Sequence, residues 1–270
     1  MNGLNRTYLV QLPPNYYKSD QFSLVLGFHG GGGTGRQFEF SSRLSEKAAN
    51  AGFIAVYPDG TRGDGPLQIQ TWNAGACCGQ SSAKNIDDVQ FVSQLIDTLI
   101  SKYKIDRRKV FATGHSNGGM LSYRLACELS HKIAAIAPNG STMVVNQACR
   151  PSRPVPILHM HSVGDEHVPY EGGIGNGISG IYNPPLDSVL NVWAANNFCN
   201  PVAVTENRPM YKITEWKDCR NNVSMKYYLT LDGGHAWPGG LRGSSGGDEP
   251  SSSINANDLL WEFFSQHSLP

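Results

Sequence analysis

The chain has 270 residues, and its 22 basic and 22 acidic side chains cancel to a formal net charge of zero. Because no long run of basic residues breaks this balance, we expect neither a nucleic-acid partner nor an anionic membrane surface. No apolar run approaches the roughly 20 residues that a membrane-spanning helix needs.

Apolar runs of strand length alternate along the chain with segments of helical spacing. The predicted strands are residues 6–11, 24–28, 53–57, 110–113, 133–137, 155–161 and 226–230. The predicted helices are residues 36–51, 86–103, 120–130, 186–196 and 254–267. This alternation predicts an α/β fold with a mostly parallel central sheet and helices on both faces. Because the sequence shows no internal repeat and no linker-like boundary, residues 1–270 are expected to form one domain.

The segment Gly114-His115-Ser116-Asn117-Gly118 joins a predicted strand to a predicted helix. A Gly-x-Ser-x-Gly sequence in this context is typical of the nucleophile elbow, a turn so tight that only small residues fit beside the serine. We therefore predict that Ser116 is a catalytic nucleophile. An ordinary glycine-rich turn is the alternative interpretation of the motif taken alone.

Partners for an activated serine follow two later predicted strands. Asp165 comes shortly after the strand at 155–161, and His235 comes shortly after the strand at 226–230. The chain order Ser, Asp, His is that of α/β-hydrolases. Because open α/β sheets place ligands at the carboxyl ends of their strands, we expect Ser116, Asp165 and His235 to meet there as nucleophile, acid and base.

An oxyanion formed during acyl transfer needs two backbone N–H donors already aimed at it. One is expected from Asn117, which follows the nucleophile, and the other from the glycine-rich loop after an early strand. In this chain that loop is His29-Gly30-Gly31, and Gly31 is the predicted donor.

Seven blocks of sequence occur in order along nearly the whole chain, and they are His29 to Gly32, Tyr57 to Gly60, Thr71 to Asn73, Asp87 to Val89, Gly114 to Met120, Asp165 to Gly172 and Gly233 to Gly239. Together they resemble the polyhydroxybutyrate depolymerase/feruloyl esterase family of secreted α/β-hydrolases, which includes carbohydrate esterases of the feruloyl and acetyl-xylan type. One departure is His161-Ser162-Val163-Gly164-Asp165, where the family usually has His-Gly-Thr-x-Asp.

The resemblance implies an α/β-hydrolase fold and a cofactor-free serine carboxylesterase, secreted and monomeric, with Ser116, Asp165 and His235 as its triad. It also implies feruloyl esters on plant cell-wall polysaccharide as the substrate. Polyhydroxyalkanoate depolymerase and acetyl-xylan esterase are alternatives with the same triad. A serine peptidase and a non-catalytic binding protein on the same fold are the alternatives from other classes.

Two tryptophans are candidate substrate contacts, because ligand pockets are rich in aromatic side chains. Trp237 lies two residues from His235 on a Gly/Pro-rich loop, and Trp72 lies in a long irregular segment. Core packing is the alternative for both, since tryptophan is usually buried.

Six cysteines and a low charge fraction favour an extracellular protein with disulfide bonds. Cys199 and Cys219 close a loop of about twenty residues and are the preferred pair. The adjacent Cys77 and Cys78 are expected to bond to the two remaining cysteines, Cys127 and Cys149. Buried free thiols are the alternative.

His159, His161 and His167 crowd around Asp165 and could suggest a metal site. We expect His159 and His161 to point to opposite faces of their strand and therefore predict no bound metal. His29 and His115 flank motif glycines, and we expect them to pack or hydrogen-bond beside the site.

Overall fold

The computed structural model describes residues 4–177 and 179–270. Nine of the strands in this part of the chain form one sheet, and the other four form two short ribbons. The strands are β1 Tyr8–Gln11, β2 Phe22–Phe28, β3 Ile54–Pro58, β4 Thr61–Arg62, β5 Gln70–Thr71, β6 Ile105–His115, β7 Ala135–Asn139, β8 Ile157–Ser162, β9 Gly173–Ile174, β10 Tyr182–Asn183, β11 Val204–Asn207, β12 Tyr211–Trp216 and β13 Met225–Thr230.

The sheet has the order β1-β3-β2-β6-β7-β8-β13-β12-β11. Its central strands from β3 to β13 pair in parallel, while β1 at one edge and β12 and β11 at the other are antiparallel. The predicted mostly parallel sheet is confirmed. Since the parallel strands run in one direction, the carboxyl ends of β6, β8 and β13 lie along one edge of the sheet.

Helices cover both faces of this sheet. Within the described residues, no helix is long and apolar enough to cross a membrane. The α-helices are α1 Gly35–Ser42, α2 Leu44–Ala51, α3 Gly79–Ala83, α4 Asp88–Lys102, α5 Asn117–Glu128, α6 Leu186–Asn196 and α7 Ala256–Phe264.

Two apolar cores lie on opposite faces of the sheet, and β2 contributes alternate residues to them. Leu24, Leu26 and Phe28 pack in the core that contains α4, α5 and α6. Val25 packs in the core that contains α1, α2 and α7. Each such side chain, fully buried, contributes about 1.5–3 kcal/mol to the free energy of folding, so the continuous apolar run holds both helix layers to the sheet.

One predicted helix and one edge of the sheet differ in the structure. The helix expected at 36–51 is two helices, α1 and α2, because Arg43 between them adopts a left-handed conformation with φ 56°. The strands β11 and β12 at one edge of the sheet were not predicted, and all four residues of β11 are exposed and carry no apolar alternation. The pairing of β12 with β13 and of β11 with β12 extends the sheet beyond the last expected strand.

The disulfide bonds match the sequence prediction in part. Cys199 is bonded to Cys219, as expected. The prediction for Cys77 and Cys78 is wrong, because Cys127 and Cys149, with Cα atoms 5.1 Å apart, are bonded to each other. Cys77 and Cys78 form a bond between neighbours instead. The alternative of buried free thiols is excluded, since the described residues contain no free cysteine.

Candidate active site

Ser116 stands at the turn between β6 and α5 with φ 55° and ψ −123°. A non-glycine residue is rarely held in such a conformation unless its surroundings determine it. The Ser116 N–H donates to Asn139 O at 3.0 Å. A Cβ atom added to Gly118 would collide with the carbonyl oxygen of Phe28, and one added to Gly114 would lie 2.6 Å from the Gly118 carbonyl carbon. The glycines of the motif therefore allow the strained turn that lifts the serine clear of the sheet.

Asp165 follows β8 and is almost completely buried, with 4% of its surface exposed. Its Oδ2 accepts a hydrogen bond from His235 Nδ1 at 2.7 Å. Its Oδ1 accepts the N–H groups of His167 at 3.0 Å and Val168 at 2.8 Å. Burial works to raise the pKa of Asp165, but His235 and the hydrogen bond from His161 outweigh it and lower the pKa well below its ordinary value. Asp165 is therefore an ionised carboxylate that its hydrogen bonds hold in one orientation.

His235 lies after β13, and its side chain is 12% exposed. The backbone N–H of His235 donates to Asp248 Oδ2 at 2.7 Å, which anchors its loop. Its ring lies between the rings of His115 and His167, with centroid distances of 4.4 and 4.9 Å. Asn139 Nδ2 donates to His115 Nδ1 at 2.9 Å and holds that ring in place. His115 therefore packs beside the site, as expected, and the side chain that it packs against is His235.

Ser116 and His235 line the same cavity. The described residues contain no hydrogen bond between the Ser116 hydroxyl and the His235 ring. Such bonds are often long in the absence of substrate and shorten in the substrate complex. Asp165 approaches His235 from the side away from the cavity, because it bonds Nδ1 and leaves Nε2 free.

Gly31 and Asn117 also line this cavity and adjoin one another. A Cβ atom built on Gly31 would lie 3.9 Å from the Asn117 Cβ. The loop is held by His29, whose Nδ1–H donates to Gly30 O at 2.7 Å and whose Nε2 accepts the Gly60 N–H at 2.9 Å. Burial lowers the pKa of His29 to about 4, so the ring is neutral at pH 7 and can make both bonds.

The two candidate tryptophans have different positions. Trp237 is 2% exposed, lines the cavity and packs edge-on against Phe38 at 5.1 Å. Trp72 has no exposed surface and lies outside the cavity lining, so the expectation that it contacts substrate is wrong. Its N–H donates to Asn117 Oδ1 at 2.7 Å, and its Nε1 donates to His29 O at 3.0 Å. Trp72 thus links the nucleophile elbow, through Asn117, to the glycine-rich loop, through His29.

The cavity has a volume of about 970 Å³. Apolar side chains on its wall are Met120, Val168, Leu67, Ile69 and Leu241. The last three are partly or largely exposed at its rim. The rim segments also contain Gly65 and Gly246, where an added Cβ atom would meet no atom within 4 Å.

His159 and His161 lie on the same face of β8, and their rings are hydrogen-bonded, with Nε2 of His159 3.0 Å from Nδ1 of His161. Our expectation of opposite faces is wrong, because side chains two residues apart in a strand share a face. Within the described residues, no three or more His, Cys, Asp or Glu side chains are grouped so as to hold a metal ion.

A nine-stranded, mostly parallel sheet with a strained serine elbow and an Asp–His pair at its carboxyl edge defines an α/β-hydrolase. The chain belongs to the phospholipase/carboxylesterase family, whose sequence profile matches residues 18–175.

Curated relatives are esterases, as the sequence motifs indicated. The chain is 30% identical over 271 residues to feruloyl esterase B of Piromyces equi, covering 98% of this chain and 46% of that protein. It is 27% identical to a bifunctional acetylxylan esterase/xylanase of Neocallimastix patriciarum, covering 98% of this chain and 34% of that protein. The chain thus spans less than half the length of both. Among solved structures, the acetyl xylan esterase of Aspergillus awamori superposes with a TM-score of 0.68, 17% identity and coverage of 97% and 94%.

Proposed function

We propose that the protein is a serine carboxylesterase that hydrolyses feruloyl esters on plant cell-wall polysaccharide. The observation that carries this proposal is the 2.7 Å bond between Asp165 and His235, beside a cavity that Ser116 also lines. This arrangement has the parts of an acyl-transfer site, namely a nucleophile, a base and an acid that orients the base.

The reaction proceeds by two acyl transfers. His235 Nε2 accepts the Ser116 proton as Oγ attacks the ester carbonyl, while Asp165 holds the ring with its proton on Nδ1. The N–H groups of Gly31 and Asn117 stabilise the oxyanion, and one such donor is worth about 3 kcal/mol. His235 then protonates the leaving alcohol. Water, activated by the same ring, releases the acid from the acyl-enzyme.

The feruloyl assignment rests on the feruloyl esterase among the relatives and on the cavity. Its volume lies at the upper end of the range of small-molecule sites. Leu67, Ile69 and Leu241 give an aromatic acyl group apolar surface, and Trp237 adds an aromatic wall. The bifunctional relative favours acetylated xylan as a second candidate substrate.

We further propose a monomeric enzyme of one catalytic domain, because this chain by itself supplies Ser116, Asp165 and His235 and the proposed site needs no residue of a second subunit. Three disulfide bonds support secretion, because disulfides persist in oxidising compartments. Mass measurement of the protein from culture medium, with and without reductant, tests this proposal. Free thiols in the native protein would contradict it.

A panel of methyl ferulate, acetylated xylan and polyhydroxybutyrate tests the substrate assignment. We expect the highest kcat/KM on methyl ferulate; a preference for either polymer would instead support acetyl-xylan esterase or polyester depolymerase activity. Peptide turnover equal to ester turnover would support a peptidase.

Ser116→Ala tests the nucleophile, with Ser101→Ala, an exposed serine on α4, as the control. We expect the first variant to lose nearly all ester turnover and the second to keep it. An active-site phosphonate should label Ser116 of the wild type. A Ser116→Ala enzyme that keeps more than about a twentieth of wild-type turnover would refute the assigned nucleophile, since triad removal costs several orders of magnitude.

A further inference from the structure

A row of buried side chains continues from Asp165 away from the cavity. His161 Nε2 lies 3.2 Å from Asp165 Oδ2. His161 Nδ1 lies 3.0 Å from His159 Nε2, and His159 Nδ1 lies 2.7 Å from the hydroxyl of Tyr123. His161 is 2% exposed, and His159 and Tyr123 have no exposed surface. Tyr123 belongs to α5, the helix that begins at the elbow.

One carbonyl group fixes the direction of these hydrogen bonds. Val168 O lies 2.7 Å from His161 Nε2, and a carbonyl oxygen can only accept. His161 Nε2 therefore carries a proton, which it donates to Val168 O, and Asp165 Oδ2 lies 3.2 Å from the same nitrogen. If His161 is neutral, its Nδ1 must accept from His159 Nε2–H.

The rest of the row then has one consistent assignment. His159 uses its proton on Nε2, so its Nδ1 accepts from the hydroxyl of Tyr123. A cationic His161 would reverse both bonds and leave the Tyr123 O–H, within the described residues, without an acceptor. Buried donors are nearly always paired, so the neutral assignment is favoured. Burial also lowers the pKa of His159 and raises that of Tyr123, which keeps both uncharged.

We propose that His161 is a positioning residue for the catalytic carboxylate, a neutral imidazole that donates a second N–H to Asp165 Oδ2 and is held in one tautomer by Val168, His159 and Tyr123. This inference rests on the proposed function, in which Asp165 orients His235. Asp165 accepts two backbone N–H groups on Oδ1 and the His235 N–H on Oδ2, and the proposed bond from His161, 3.2 Å from Oδ2, is a fourth.

A neutral donor suits this position better than a cation. It fixes the rotation of the Asp165 side chain without cancelling its charge. The negative charge therefore stays available to the imidazolium that forms on His235 during the reaction. The rings of His115 and His167 are the other titratable groups that face His235, and they pack against its ring, while His167 reaches the carboxylate only through its backbone N–H.

The tautomers can be observed directly in the wild-type enzyme by two-bond 1H–15N correlation of 15N-labelled histidines at pH 7. We expect His159 and His161 both to be neutral with the proton on Nε2, and the signals of His161 to be absent from a His161→Gln sample. A cationic His161, or a proton on its Nδ1 alone, would overturn the proposal without touching the esterase assignment. Retained activity in Ser116→Ala would instead refute the proposed function and leave these spectra interpretable.

Kinetics on methyl ferulate provide the second test. We expect His161→Leu to lower kcat by about 10–100-fold with KM within about twofold, because misplaced catalytic groups cost rate rather than binding. His161→Gln retains a neutral N–H donor and should recover much of this loss. Equal rates for the two variants, or a loss confined to KM, would contradict a positioning role.

Tyr123→Phe removes only the terminal donor, and Tyr57→Phe is its matched control. Tyr57 is also buried, and among the described residues its hydroxyl makes one hydrogen bond, 2.9 Å to Ser45 Oγ. Because the Tyr123 hydroxyl is what disfavours the reversed row, we expect Tyr123→Phe to allow that reversal, with His161 cationic and His159 carrying its proton on Nδ1, whereas Tyr57→Phe leaves the wild-type pattern. An unchanged His159 signal in Tyr123→Phe would show that Tyr123 does not set the direction of the row.

Discussion

Asp165→Asn tests how far the reaction depends on the tautomer of His235. Asp165 Oδ1 accepts two backbone N–H groups, which cannot reverse their direction, so the amide oxygen of the asparagine must take this position. Its NH2 group then faces Nδ1 of His235, where Oδ2 accepted at 2.7 Å. Since two donors cannot bond, His235 moves its proton to Nε2, the atom that must accept the Ser116 proton. We expect kcat to fall about 10⁴-fold, or about 5.4 kcal/mol.

The assay is p-nitrophenyl acetate hydrolysis under saturating substrate, with the fraction of folded protein checked by thermal unfolding. Asp87→Asn is the control, because Asp87 caps α4 by accepting from Gln90 N at 2.8 Å and asparagine caps a helix equally well. The control should keep wild-type kcat. A folded Asp165→Asn enzyme with more than about a tenth of wild-type kcat would refute the tautomer argument, since the expected loss is larger by orders of magnitude.

Three further predictions concern stability, each measured by urea unfolding. Burial lowers the pKa of His29 from 6.5 to about 4. The neutral ring therefore makes its full contribution to the free energy of unfolding above pH 6.5, and up to about 3 kcal/mol of it is lost as the pH falls toward 4. His29→Gln should make the free energy of unfolding less dependent on pH in this range, and an unchanged pH dependence would contradict the assignment. Arg6→Met leaves buried Asp88 without its 2.8 Å ion pair and should cost about 3–5 kcal/mol, whereas a loss below about 1 kcal/mol would count against it. Replacing Cys199 and Cys219 by alanine should cost about 3 kcal/mol, and no loss would mean that the unfolded loop is already restricted.

The sheet and the order of the site residues could be predicted because they depend on local patterns. Apolar runs marked each parallel strand, and Ser116, Asp165 and His235 each follow such a run within a few residues. Parallel strands then bring their carboxyl ends together without further information.

Other features depend on long-range packing that no local pattern encodes. The position of Trp72 is determined by its bonds to Asn117 and His29, which lie far away in the sequence. The partner of Cys127 depends on where the loop at Cys149 returns to α5. By contrast, the shared face of His159 and His161 was readable from their spacing alone, and our error there was one of strand geometry.

The open rim glycines have a consequence for how the substrate range of this chain can change. Gly114 and Gly118 have no room for a side chain, so a substitution at either position would disrupt the elbow. Gly65 and Gly246 stand at the mouth of the cavity with free space around them and carry no catalytic group. Side chains introduced there would change the shape of the cavity entrance and leave Ser116, Asp165 and His235 in place. Acyl preference can therefore diverge among descendants of this sequence by steps that each preserve a working enzyme.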